Sequence, residues 1–189
     1  MDKLDIVTDE SGNEVVLLPE IIFSNKQNIN WNDVEDYLGK YVGELIEIAE
    51  TRDIIYIGNK FPDEYGGSSY TRKTKGARAK AKANAAQGIR EMVEIATDKV
   101  YRENHKEKHS EDAHNGWFYY VTRFAIPLYN NEKKTGEYNV YSACLVVNHA
   151  ANGKMYLYDV VGIKKEASNP LKTIKLSSGT KPLLNTYYH

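Results

Sequence analysis

The sequence of 189 residues has one cysteine, Cys144, and therefore cannot form a disulfide bond within the chain. Cys144 lies in an apolar run, residues 142–147, which favours a small core residue over a nucleophile. No run approaches the roughly 18 apolar residues that span a bilayer, and the charged first residues lack the apolar core of a signal peptide. We therefore expect no membrane association and a reducing, cytoplasmic location.

The chain also lacks a large excess of charge of either sign. Its formal net charge is −1, which excludes a strongly basic, histone-like binder, so any affinity for nucleic acid must come from a local patch. Phenylalanine and tryptophan are scarce, with four and two residues, whereas tyrosine occurs fifteen times. Tyrosine suits half-wet strand faces, because its ring packs while its hydroxyl reaches water or a partner.

Hydrophobic spacing and turn residues divide the chain into an N-terminal extended arm, a main domain at 29–166 and an irregular tail at 167–189. Asn30 is a suitable N-cap for the first predicted helix. Residues 59–70 contain Pro62 and the pair Gly66-Gly67, which argue against regular secondary structure in that segment. The predicted elements are, in order, the arm 1–28, helix 31–50, strand 54–57, loop 59–70, helix 78–103 and strands 117–128, 138–149 and 154–164.

This order of helix, strand, helix and three strands predicts an α+β fold. The three strands are joined by hairpin-type linkers, including an Asn-Gly turn at 152–153, and so should form a small antiparallel sheet. We expect the helices to pack on one face of that sheet and leave the other face open. An open face rich in tyrosine, beside a basic loop, is where a site is expected.

The only concentrated positive patch lies between residues 72 and 82, which hold six cations and no acid. A solvated surface is the usual role of a charge run, but the absence of acids here favours contact with an RNA backbone. Ser68 and Thr71 could add hydroxyl contacts, although such residues more often form turns. The candidate nucleic-acid-binding residues are Lys75, Arg78, Lys80 and Lys82, the hydroxyls Ser68 and Thr71, and Lys164 at the rim of the last strand.

Four residues are candidates for catalysis: His109, His114, Arg123 and Tyr119. Imidazole titrates near neutral pH, so His109 is the first candidate for a general acid or base, with His114 as the second. Strand alternation places Tyr119, Val121 and Arg123 on one face of a strand and Tyr120, Thr122 and Phe124 on the other. Arg123 could bind phosphate oxygens or form a cross-strand ion pair. Tyr119 could contact phosphate or a base, or only pack.

The histidines also admit a metal site. His105 and His109 are separated by one helical turn, and His114 could complete the set of ligands. However, no cysteine is close, and Lys106 and Lys108 would repel a cation. We therefore expect neither a metal nor a cofactor.

Several segments together resemble the phage-associated and mobile-element-associated nuclease domains of the barnase–EndoU–colicin–RelE group. The similarity is to domains found at the C-terminal end of MuF-type phage proteins, and it covers roughly residues 30–170. The segments that carry it are Phe61-Pro-Asp-Glu-Tyr65 with Ser68 and Tyr70-Thr71, Lys80-Ala-Lys-Ala-Asn84, Lys108-His109, Gly116-Trp117, Tyr120-Val-Thr-Arg-Phe124, Tyr156-Leu-Tyr-Asp159 and Ile163-Lys-Lys-Glu166.

The resemblance implies a metal-independent, toxin-like endoribonuclease. Such enzymes activate the ribose 2′-hydroxyl to attack the adjacent phosphate, which leaves a 2′,3′-cyclic phosphate and a free 5′-hydroxyl. The reaction needs a base, an acid and cations on the phosphate. One alternative is a non-catalytic module on the same scaffold that binds nucleic acid, an immunity-type inhibitor or a phage protein. The other is a metal-dependent hydrolase, which requires the three histidines to converge.

Overall fold

The computed structural model of the protein describes residues 2–24, 28–104, 113–166 and 170–172. Within these ranges the chain forms nine strands, five α-helices and two short 3-10 turns. The strands are β1 Ile6–Thr8, β2 Glu14–Leu17, β3 Leu45–Glu47, β4 Ile54–Tyr56, β5 Thr97–Arg102, β6 Trp117–Asn130, β7 Lys133–His149, β8 Met155–Lys165 and β9 Leu171–Lys172. The helices are α1 Trp31–Leu38, α2 Phe61–Gly67, α3 Ser69–Lys73, α4 Gly76–Ala85 and α5 Ile89–Glu94, and the turns are Gly39–Tyr41 and Ala86–Gly88.

All nine strands belong to one mixed sheet that curls into a half-barrel, so the prediction of a small antiparallel sheet with helices on one face was wrong. The main path of the sheet is β1-β2-β6-β7-β8-β4-β3. β5 pairs with β6, and β9 pairs with β7. Two pairs of adjacent strands are parallel: β2 with β6, and β4 with β8. Pairs between distant segments have no local sequence signal, which is why the sequence did not reveal them.

The N-terminal segment 1–28, expected as an extended arm, contributes two strands to this sheet. Val16 of β2 lies opposite Phe124 of β6, and both side chains are fully buried. The segment that follows is tied to α4 by the buried Asn84. Its side-chain oxygen accepts a hydrogen bond from the amide of Ile22 at 2.8 Å, and its side-chain nitrogen donates to the carbonyl of Phe23 at 2.9 Å.

Both long helices expected from the sequence are shorter in the structure. The first begins where predicted, with the side chain of Asn30 accepting from the amide of Asn32, but it ends at Leu38. The second is α4, a 3-10 turn and α5, and the chain then leaves it as β5. The turn falls at Gly88, where a Cβ atom would stand 3.1 Å from Leu18 and 3.2 Å from Val16. Any side chain larger than glycine's would therefore press on β2 and the residue that follows it.

The segment 59–70, predicted to be an irregular loop, is largely helical. Pro62 occupies the start of α2, where a missing amide hydrogen costs nothing because the first amides of a helix have no partner within it. Ser68 ends α2 and caps α3, accepting a hydrogen bond from the amide of Thr71 at 3.1 Å. The prediction of an irregular loop was wrong here because a proline in the first turn is compatible with a helix.

The three long strands are confirmed as an antiparallel meander. β6 pairs with β7 over most of its length, and β7 pairs with β8. The first hairpin turns at Asn131 and Glu132. Both residues have positive φ, as the two central residues of a type I′ turn require. The second hairpin contains Gly153 at φ +84. Among the described residues, no helix is both long enough and apolar enough to cross a membrane.

Candidate nucleic-acid interface

Two adjoining clefts lie where α3 passes into α4, and each has a volume of about 530 Å³. They share Thr74, Lys75 and Ala77 as lining residues. Five cations line one or both clefts and are exposed: Arg72, Lys73, Lys75, Arg78 and Lys80. None of the described residues that line them is acidic. The basic clefts, as we call this pair, are a concentrated positive surface on a chain with almost no net charge.

The hydroxyl residues at the edge of the basic clefts hold the local backbone. Thr71 is 1% exposed and donates its hydroxyl to the carbonyl of Tyr65 at 2.6 Å. Thr74 donates to the carbonyl of Tyr70 at 2.7 Å. Ser68 caps α3 and also donates its hydroxyl to that of Thr71 at 3.1 Å. Ser68 and Thr71, proposed from the sequence as RNA contacts, therefore position the chain that carries the cations.

Two aromatic side chains complete the basic clefts. Trp31, the first residue of α1, lines the cleft that contains Lys80, and Tyr70 of α3 lines the other. The hydroxyl of Tyr70 accepts a hydrogen bond from the amide of Ile163 at 2.9 Å, which fixes its ring against β8. One aromatic ring in each of the two clefts suits unstacked bases, because any base can stack on an aromatic face.

The cations at the start of α4 oppose the stability of that helix. A helix N-terminus carries partial positive charge and favours acidic residues, but the first turn of α4 has none. Lys75 is the capping residue and makes no side-chain capping bond, and Arg78 follows within the first turn. Helix stability therefore does not explain these residues.

Lys82, which the sequence grouped with these cations, lies in the interior. Its side chain is 0% exposed, and its ammonium nitrogen is 2.6 Å from Oδ1 of Asp159, itself 3% exposed. The ammonium also faces the rings of Tyr65 and Tyr70, with 4.5 and 4.9 Å between nitrogen and ring centroid. A surface strand of RNA cannot reach this nitrogen, so its assignment as a backbone contact is corrected.

Burial perturbs both members of this ion pair. It lowers the pKa of Lys82, against the opposing effect of the Asp159 carboxylate, and it raises the pKa of Asp159, against the effect of Lys82. The register of β7 and β8 shifts between Val146 and Val147, opposite Asp159 and Leu157. Consecutive residues of a regular strand face opposite sides, yet both Asp159 and Val160 are buried in the core. The bulge turns the carboxylate of Asp159 toward α4.

Arg123 and Tyr119 share one sheet face, as the strand alternation predicted, while Tyr120, Thr122 and Phe124 are buried on the other. Arg123 lines a separate cleft of about 220 Å³, whose other lining residues include Glu14, Glu50 and Glu94. Its Nε atom is 2.9 Å from the carboxylate of Glu166. Of the two roles that the sequence left open for Arg123, the ion pair is present, and its partner Glu166 directly follows β8.

The outer sheet face around Tyr119 is an apolar cluster centred on the buried Ala113, Trp117 and Val146. Tyr119 packs against this cluster, and burial raises the pKa of its hydroxyl. Neither Tyr119 nor Arg123 lines the basic clefts. The proposed catalytic strand and the proposed binding patch therefore occupy different surfaces of the described structure.

His109, the first catalytic candidate, and His105 lie outside the described residues. His114 is exposed in a turn before β6. Lys164 is exposed near the end of β8, outside the basic clefts. Across 2–24, 28–104, 113–166 and 170–172, no group of three or more histidine, cysteine or acidic side chains could hold a metal ion.

The sequence contained a signal for the buried ion pair that its interpretation missed. Lys82 follows Ala79 by three residues and precedes Ala86 by four, so it falls on the same helical face as these two apolar residues. Asp159 is likewise the one acid in a strand whose neighbours are apolar or aromatic. A buried cation in a helix and a buried acid in a strand are natural partners.

Comparison with known proteins adds no further constraint. No family model, no curated protein and no solved structure matches the chain.

Proposed function

We propose that this protein binds single-stranded RNA through the basic clefts. The observation that carries the proposal is the set of five exposed cations, with Trp31 and Tyr70, around two adjoining cavities whose described lining residues include no acid. Cations along a groove follow the phosphate backbone, and aromatic side chains accept stacked bases. The unfavourable charges in the first turn of α4 support the same proposal.

A single strand fits this geometry better than a duplex does. The aromatic rings can be used only by bases that are splayed out of a helix. The formal net charge of −1 leaves the rest of the surface without a general attraction for polyanions, so binding depends on the basic clefts and should weaken steeply with salt.

The test is the salt dependence of binding to a labelled, unstructured RNA oligonucleotide. We compare the parent chain with the triple variant Lys75→Gln, Arg78→Gln, Lys80→Gln. Three lost phosphate contacts should reduce the slope of log affinity against log salt by about 2. Equal affinity and an equal slope for this variant and the parent would disprove the proposal.

The matched control is Lys133→Gln, Lys134→Gln, Lys172→Gln, which changes the net charge equally. Lys133 and Lys134 lie in the β6–β7 hairpin and Lys172 in β9, and all three are exposed. The slope of this control should match that of the parent. A loss of slope in both variants would indicate a general charge effect and would argue against a defined site.

Cleavage of the bound RNA is tested on the same samples. Metal-independent cleavage needs a general base and acid beside the phosphate. The described residues lining the basic clefts include no histidine and no carboxylate, so the geometry supports binding better than catalysis. Intact RNA after incubation in excess chelator fits a binding module. Products with 2′,3′-cyclic phosphate ends would establish a ribonuclease, and His109→Ala would then test the first catalytic candidate.

A further inference from the structure

A separate pocket of about 240 Å³ lies between the start of α2 and the β7–β8 hairpin. Three of its lining residues are aromatic: Phe61 of α2 and Tyr156 and Tyr158 of β8. Gly58 forms part of the lining, and a Cβ atom there would stand 3.3 Å from the ring of Tyr156. Among the described residues, none lines both this pocket and the basic clefts. We refer to it as the tyrosine pocket.

A second ring packs against each aromatic residue that lines the tyrosine pocket. Tyr65 lies edge-on to Phe61 with 5.6 Å between ring centroids, Tyr56 lies 5.7 Å from Tyr156, and Trp117 lies edge-on to Tyr158 at 5.0 Å. These contacts restrict the rotamers of the lining rings before any ligand arrives. A ligand that enters the pocket therefore loses little affinity to the ordering of side chains.

The polar lining residues supply both hydrogen-bond donors and acceptors. Asn148, only 7% exposed, offers an amide with both kinds of group. Lys60 is a donor and Glu64 an acceptor, and the two stand four residues apart along the chain. Planar aromatic surface combined with an amide is the arrangement that recognises a nucleobase by stacking and by its hydrogen-bonding edge.

The size of the tyrosine pocket limits what it can hold. Its volume lies below the roughly 300 Å³ at which sites for drug-sized ligands begin, so it holds one ring system rather than two stacked bases. We propose that the tyrosine pocket binds a single unstacked nucleobase.

This inference deepens the proposed function and rests on it, because the bound RNA strand would supply the base. α2 leads from the tyrosine pocket toward α3 and the basic clefts, and its seven residues span roughly 10 Å at about 1.5 Å each. A short length of single strand can bridge that distance. The base would then be held at the tyrosine pocket while the neighbouring phosphates lie in the basic clefts.

The test uses neutral nucleosides, which can occupy the pocket without any phosphate contact. The chain has two tryptophans, Trp31 in the basic clefts and Trp117 behind Tyr158. In the Trp31→Phe variant, Trp117 is the only tryptophan and reports on the tyrosine pocket. We expect at least one of adenosine, guanosine, cytidine and uridine to change its emission saturably. That change should be insensitive to salt, since a nucleoside carries no charge.

A substitution that fills the tyrosine pocket tests whether the nucleoside binds there. Ala150 lines the tyrosine pocket, whereas its neighbour Ala151 is exposed and does not. In the Trp31→Phe background, Ala150→Phe should weaken nucleoside binding by about tenfold or more, and Ala151→Phe should leave it unchanged. Thermal unfolding and circular dichroism establish that both variants fold.

No response to any of the four nucleosides in the folded protein would overturn the inference. Equal binding by the folded Ala150→Phe and Ala151→Phe variants would also overturn it. Neither result touches RNA binding at the basic clefts, which is measured separately by the salt slope. Conversely, a protein that binds nucleosides but shows no salt-dependent binding of RNA would disprove the proposed function. The inference about the tyrosine pocket would still stand.

Discussion

Lys80 and Lys82 are two residues apart on α4 and have opposite roles. Lys80 is exposed and lines the basic clefts, whereas Lys82 is fully buried and paired with Asp159. Two residues along a helix correspond to a rotation of about 200°, so the two side chains point to nearly opposite sides. The comparison shows that the helical face, rather than membership of a charge run, decides whether a lysine meets solvent or the core.

The two environments also differ in what they require of neighbouring residues. The cation of Lys82 is compensated by one carboxylate and two tyrosine rings in the interior. The exposed cations have no acidic residue among the described lining of the basic clefts. Charge inside a protein must be paired because desolvation is costly, while charge on a surface can remain available for a ligand.

The largest expected effect follows from breaking the buried pair. Lys82→Met leaves the carboxylate of Asp159 buried without its partner and should lower the free energy of unfolding by about 3–5 kcal/mol. Urea denaturation measures this change. The loss should become smaller on acidification, because burial already raises the pKa of Asp159 and the protonated carboxyl needs no cation.

Two further variants sharpen this measurement. Lys80→Met, on the exposed side of the same helix, should change the free energy of unfolding by no more than about 0.5 kcal/mol. The double variant Lys82→Met, Asp159→Leu should recover most of the loss, because a buried pair can be replaced by apolar side chains at little cost. If Lys80→Met proved as costly as Lys82→Met, the distinction between the two faces would fail.

Asp53 provides an intermediate case. Its carboxylate is 17% exposed, accepts a hydrogen bond from Tyr120 at 2.7 Å and lies 2.8 Å from the ammonium of Lys99. Burial raises its pKa, but the hydrogen bonds from Lys99, Thr51 and Tyr120 together lower it below the ordinary value of 3.8.

A lowered pKa means that the ionised carboxylate stabilises the fold above pH 3.8, and that this contribution is lost as the pH falls below it. Asp53→Asn should therefore be less stable than the parent at neutral pH, and the difference should shrink below pH 3.8. Chemical denaturation over a pH series measures it. Glu10→Gln, at an exposed turn, serves as the control and should follow the parent throughout. A difference for Asp53→Asn that does not vary with pH would contradict the assignment.

The smallest expected effect concerns the exposed cations. Arg78→Glu places a negative charge in the first turn of α4 and should stabilise the protein by about 0.3–1 kcal/mol, while it weakens RNA binding. Lys73→Glu, in the last turn of α3, should also weaken binding but lower stability slightly. Thermal unfolding and RNA titration of both variants measure the two properties. Stability changes of the same sign would show that helix electrostatics do not govern these positions.

Local patterns anticipated part of this fold well. The long strands β6, β7 and β8, the cap at Asn30 and the two faces of β6 were all evident from spacing and turn residues. Helix lengths were less predictable. The apolar positions of the segment 31–50 continue at helical spacing, yet the chain turns at Gly43, which has φ +94, and pairs β3 with β4. Pairing between these two consecutive strands outweighed local periodicity.

The candidate site was anticipated in the same uneven way. The cations of the basic clefts are adjacent in sequence, and a run without acids was enough to single them out. The rings of Trp31 and Tyr70 and the whole tyrosine pocket were not foreseen. Their residues come from elements far apart in the chain, and no spacing rule connects them.

The sequence by itself determined the composition of the basic segment, the alternation of the long strands and the absence of an intrachain disulfide. These properties follow from residue identity and from neighbours a few positions away. Only the tertiary structure decided that β1 and β2 join the sheet, that Lys82 pairs with Asp159 and that Arg123 lies apart from the basic clefts. Those outcomes depend on which distant surfaces can bury apolar area together and satisfy their polar groups, and that balance involves the whole chain.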